Sequence, residues 1–241
     1  MRVPTRSRAA VAPHAPDQDD GTARLATAHA RKAGWSGVVF TLLLVTAVLL
    51  LGRVPGLAAS DAEFTDFYAG GGDEMVAVGL YLVPFAGIAA LWHMIATRTL
   101  LQVRRPGSWT DVTHWLHLAA CVLFVALLFA GAAASGAAAL VVQVSDAPPL
   151  TPEVTRGLTA TGYTLVFVYA VRAAGMYMLT TTGLARAAGV VRRPVALISY
   201  ALAAVLLAST TFHPAILLVF PAWVLLMSIL LLARRPTGAP S

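Results

Sequence analysis

Hydrophobic positions along this chain run in long unbroken blocks rather than alternating with polar ones. About 20 helical residues are needed to cross about 30 Å of hydrocarbon. Six blocks meet or approach that length, at about 35–52, 75–96, 114–134, 157–180, 195–212 and 214–233. Continuous runs predict helices, because barrel strands would alternate apolar and polar residues. The fifth block is short and turns tightly into the sixth, yet the two together carry no charged residue. The pattern predicts an all-α, polytopic transmembrane helical bundle of six spans over 34–234. A disordered tail at 1–33 and a short tail at 235–241 flank it.

Charge sets the expected direction. Basic residues cluster in the N-terminal tail, around 98–105, around 186–193 and at Arg234 and Arg235. Of the 17 basic residues, only Arg53 and Arg156 fall in the opposite connectors, and Arg172 falls within a span. The positive-inside rule then predicts both termini in the cytoplasm. Arg-Arg-Pro recurs at 104–106, 192–194 and 234–236, each time at the expected cytoplasmic edge. The first span reads as an uncleaved anchor, although Leu57-Ala58-Ala59-Ser60 loosely resembles a cleavage site.

Composition agrees. Apolar residues make up 58% and charged residues 12%, against about 45–50% and 25% in soluble domains. That excludes a disordered chain, and the lone Cys121, inside an apolar run, excludes a disulfide scaffold. The basic residues are spread over juxtamembrane segments without an aromatic-interleaved patch. They point to anionic lipid headgroups as partner, and away from nucleic acid. A homo-oligomer or another membrane partner stays open. Ala-, Val- and Arg-rich usage with a single lysine points to a GC-rich bacterium, hence to a bacterial plasma membrane.

The first outer loop carries the densest local signal. Ser60-Asp61-Ala62-Glu63 has capping-box spacing. Phe64, Phe67 and Tyr68 follow on one helical face, and Gly70-Gly71-Gly72 supplies a stop. These residues predict a short amphipathic helix lying on the outer leaflet, aromatic face down. The acids beside it do not follow calcium-loop spacing.

Pro152, Pro194 and Pro214 sit where helices should start, so the fourth helix begins before its span. Pro84 and Pro221 lie inside spans and should bend them. Trp223 lies near the middle of the last span, where its indole N–H needs an acceptor. Trp35, Trp92, Trp109 and Trp115 mark the cytoplasmic interface. Ala126, Ala130 and Ala134, and Ala170 and Ala174, are small residues at helical spacing that allow close helix approach.

Arg172 is the one charge within the six spans, about 13 Å above Thr181 on its helix. No carboxylate within a span can pair with it. Two readings stand. It is a snorkelling arginine that orients its helix, or it makes an anion or lipid-headgroup contact, with Tyr169 and Tyr200 nearby.

His93, His114 and His117 share one expected depth. His93 and His117 could therefore ligate a haem between helices. No metal cluster is expected, and no cofactor is otherwise called for. The chain contains no P-loop, no His-Glu-x-x-His and no Gly-x-Ser-x-Gly.

Phe64-x-x-Phe67-Tyr68, Leu91-Trp92, Arg193-Pro194 and Phe220-Pro221-Ala222-Trp223 resemble a recurring pattern of actinobacterial six-helix integral membrane proteins of unknown function. The resemblance covers residues 60–233 and implies fold and membrane location alone. Three functions follow as expectations. The first is a non-catalytic accessory or sensor component. The second is a small-solute, anion or lipid carrier built on Arg172. The third is a haem-binding redox protein using His93 and His117.

Overall fold

A computed structural model describes residues 16–233 apart from 106, 108, 109, 146 and 147. The described residues form helices and no strands. Helix α1 is Pro16–Leu51, α2 Asp61–Ala69, α3 Asp73–Arg104 and α4 Asp111–Val144. Helix α5, Pro152–Tyr163, continues through a π-helical segment, Thr164–Ala170, into α6, Val171–Ala187. Two shorter helices follow, α7 at Arg193–Ala208 and α8 at Ile216–Leu232.

Four helical stretches are long and apolar enough to cross a membrane: Gly21–Leu51, Asp73–Arg104, Val112–Val144 and Pro152–Ala187. Helices α7 and α8, with 16 and 17 residues, are shorter apolar helices. Large apolar side chains stand exposed around the bundle, among them Leu42, Phe85, Ile88, Leu123 and Ile229. Such a surface is far more apolar than water tolerates on a monomer and suits contact with lipid.

Packing follows the chain order. Helix α1 lies between α3 and α8, α3 packs on α4, α4 on the α5–α6 rod, and α6 on α7. Phe40 of α1, Phe124 of α4 and Phe220 of α8 form the centre, with Phe124 and Phe220 rings 4.8 Å apart. Close approach of α1 and α8 requires Gly37, where a Cβ would collide with the Ser228 hydroxyl and the His93 ring.

Several sequence expectations change. The N-terminal tail is helical from Pro16, so the disorder expected up to residue 33 does not extend over 16–33. Ala26, Ala30 and Ala33 are buried there, one helical stripe of small residues docked on the bundle. Residues 1–15, Trp109 and the tail from Arg234 onward lie outside the described residues. The fifth helix ends at Ala208 rather than 212, and the sixth begins at Ile216. Pro84 and Pro221 lie inside continuous helices α3 and α8, as their positions within the spans imply. Ala126 and Ala130 face outward, whereas Ala170 and Ala174 are buried as expected of an interface.

Helix ends are closed in two ways. Pro152 and Pro194 occupy the first turns of α5 and α7, as their fixed φ favours. At the end of α6, Gly189 takes a φ of 66° and the Val190 N–H reaches the Ala185 carbonyl at 2.7 Å. Arg105 donates to the Ala187 carbonyl at 2.7 Å, a cation at the negative end of a helix dipole.

Candidate functional site

Helix α2 is built as its sequence dictates. Ser60 accepts from the Glu63 N–H at 3.3 Å, and Glu63 Oε2 accepts from the Ser60 N–H at 2.6 Å. This reciprocal pair satisfies two amides that a helix start leaves open. The Ser60 N–H, and after it the Ser60 hydroxyl at 3.0 Å, hold the Glu63 carboxyl below its ordinary range. At the other end, Gly71 takes a φ of 77° and the Gly72 N–H reaches the Phe67 carbonyl at 3.0 Å. Only glycine accepts that left-handed turn cheaply.

The helix does not present its aromatic face to lipid. Phe64 and Tyr68 are 1% and 6% exposed, packed with Val54, Val76, Ala138 and Ala139. Helix α2 is a cap on one end of the bundle. Arg156 of α5 clasps it, donating to Asp61 Oδ1 at 2.8 Å and to the Ala59 carbonyl at 2.9 Å. The guanidinium also lies 5.0 Å from the Phe64 ring centre, a cation–π contact.

Beneath the cap, Asp73 is 3% exposed and accepts from Gln143 Nε2 at 2.6 Å. Burial first, and then the Asp73 charge, push the Tyr68 hydroxyl up to about 12. A cavity of about 210 Å³ opens between α2 and the start of α5, bordered by Phe64, Tyr68, Leu150, Pro152 and Thr155. The hydroxyls of Tyr68 and Thr155 are buried without a hydrogen-bond partner. The Thr151 side chain makes no capping bond to the first amides of α5.

Arg172 sits where the π-helical segment returns to α-helix. The last π-type bond runs from the Val171 N–H to the Val166 carbonyl. Arg172 Nη1 donates to Phe167 and Val168 carbonyls at 2.8 Å each, and Nη2 donates to the Ser209 carbonyl. Ser209 ends α7, so the guanidinium ties the α5–α6 rod to the α7–α8 turn.

The other two members of the expected anion site are not gathered there. Tyr169 points outward at 53% exposure. The Tyr200 hydroxyl lies beside Gly183, 3.5 Å from where its Cβ would be, about 16 Å along the helix from Arg172. Trp223 does find its acceptor: Nε1 donates to Ser199 Oγ at 2.9 Å, and Ser199 passes its own proton to the Val195 carbonyl.

The three histidines serve different neighbours. His93 Nδ1 lies 2.8 Å from the Ala33 carbonyl, which can only accept, so this nitrogen carries the proton. His117 Nδ1 meets Thr180 Oγ1 at 3.1 Å, its ring over Tyr177. His114 meets Arg98 Nη2 at 3.0 Å. His93 thus turns to α1 and His117 to α6. Among the described residues, no group of three or more His, Cys, Asp or Glu could hold a metal ion.

Sequence reading missed Arg156, the π-helical segment and a set of buried hydroxyls at Thr97, Tyr177 and Thr181. Arg156 was detectable as one of two basic residues on its face of the bundle. The π-helical segment has no local sequence signal. No protein-family model, curated protein or solved structure matches the chain.

Proposed function

We propose that this chain is a bacterial plasma-membrane protein with six spans and both termini in the cytoplasm. It acts as a non-catalytic accessory or sensor component, and its extracytoplasmic sensing element is α2. Support for the layout comes from the arginine-rich connectors, which all lie on one side when every apolar helix crosses or enters the membrane. In that layout α2, Arg53 and Arg156 face outward.

One observation carries the functional reading. The clasp on α2 is Arg156, and Arg156 belongs to a continuous helix that runs from Pro152 to Ala187. A displacement of the cap therefore acts on a rod that reaches the opposite end of the bundle. The π-helical segment midway is a natural place for that rod to flex, since such segments interrupt α-helical register and recur at functional positions. The carrier reading has less support, because Arg172 spends its donors on three carbonyls. A haem reading needs His93 and His117 to turn towards each other from the partners they now hold.

Hydrogen exchange on the full chain in nanodiscs tests the coupling. Arg156→Gln is expected to speed amide exchange in α2 and also in the α6–α7 connector around Gly189. Faster exchange confined to α2 would reduce the cap to a passive cover and overturn the sensor reading.

A further inference from the structure

The cavity beneath α2 has the makings of a ligand site. An apolar cavity of about 150 Å³ holds a benzene ring, so about 210 Å³ leaves room for a ring-sized body and a small polar group. Phe64, Tyr68, Pro149, Leu150 and Pro152 supply apolar walls. The polar features are two hydroxyls without partners, each able to donate, and a helix start whose amides can only donate. Tyr68 and Thr155 both border the cavity, are 6% and 2% exposed, and have hydroxyls without a partner. The first amides of α5 lack a side-chain cap, and they carry the positive end of that helix dipole.

Among the described residues no carboxylate borders the cavity: Glu153, in the first turn of α5, is exposed and not among its walls, and three acids around α2 are engaged elsewhere. Asp61 holds Arg156, Glu63 holds Ser60, and Asp73 holds Gln143. The missing partner is therefore an acceptor brought from outside. We propose that the cavity between α2 and the start of α5 binds a small organic carboxylate with an apolar, ring-sized body. The carboxylate meets the α5 amides and the two hydroxyls, and the body lies against Phe64 and Leu150. This names what the cap senses, and so rests on the reading above for its consequence though not for its chemistry.

Benzoate is a suitable probe, with the full chain in uncharged detergent micelles and binding followed by calorimetry. Saturable binding is expected, with benzamide at least tenfold weaker. Thr155→Val and Tyr68→Phe should each weaken benzoate about tenfold, which is about 1.4 kcal/mol. Leu150→Trp, which fills the cavity, should abolish binding. Helix content and thermal unfolding control for misfolding, and Thr155→Val and Leu150→Trp carry the test if Tyr68→Phe fails to fold. Absence of saturable benzoate binding, equal affinity for benzamide, or binding that survives Leu150→Trp overturns the proposal. Benzoate binding without a change at the α6–α7 connector in Arg156→Gln keeps the site and removes the sensor reading. A change there without benzoate binding does the reverse.

Discussion

Arg172 donates to the carbonyl of Ser209, 37 residues further along the chain, across the contact between α6 and α7. The same guanidinium donates to the Phe167 carbonyl inside the π-helical segment, where the register of the helix changes. One cation thus resolves two backbone problems, a helix end and a helix irregularity. Both are costly where water is scarce.

Arg172→Gln should therefore act on stability. Hydrogen bonds to a charged group contribute about 1.5–3 kcal/mol, and a loss of about 2 kcal/mol is expected in reversible unfolding from detergent. Arg172→Lys should recover little, because an ammonium cannot span three carbonyls as a planar fork does. A carrier built on Arg172 predicts the opposite pattern, with native stability and lost uptake.

Trp223 and Ser199 form a fully buried hydrogen-bonded pair, each 1% exposed. Trp223→Phe and Ser199→Ala should each destabilise the bundle. Their double mutant should show a coupling of about 1 kcal/mol, the ordinary worth of a neutral hydrogen bond. Additive effects would mean that the indole bond contributes nothing.

Gly37→Ala tests the closest helix crossing. The added methyl meets the Ser228 hydroxyl and the His93 ring, neither of which has room to retreat. Overpacking of this kind costs about 1–3 kcal/mol. Gly157→Ala, where nothing lies within 4 Å of the new carbon, should be neutral or slightly stabilising, and the thermal midpoints of the two variants give the comparison.

The α2 cap should respond to acid. Its capping box holds Glu63 below the ordinary glutamate pKa of about 4.3. A depressed folded value means that the stabilisation is complete above the unfolded pKa and fades as pH falls through the folded one. Protection of the Asp61–Phe64 amides, measured against intrinsic exchange at each pH, should thus fall below about pH 4.3. Glu63→Gln should flatten that dependence. An unchanged acid profile in the variant would assign the effect to another group.

What could be read from sequence was what depends on neighbours along the chain. The capping box at Ser60 and Glu63, the proline starts at 152 and 194, and the need of Trp223 for an acceptor all follow from local spacing or local chemistry. The start of α1 was hidden because Arg24, Arg31 and Lys32 mask the small stripe of Ala26, Ala30 and Ala33. The docking of α2 was misread for another reason. An aromatic face is equally suited to lipid and to protein, and only the position of Arg156, 95 residues from Asp61, decides between them. Arg172 was conspicuous, but its partner Ser209 was not, since a backbone carbonyl leaves no trace in side-chain identity.

The brevity of α7 and α8 has a further consequence. At about 24 and 26 Å they fall short of the hydrocarbon thickness that their neighbours exceed. In the six-span layout proposed above, lipid meeting that flank would thin by several ångströms, or water would descend to Thr210 and Thr211 at the hairpin tip. That layout would match the protein to slender bilayers on one side only. A flank of that kind would favour short-chain lipids over long ones.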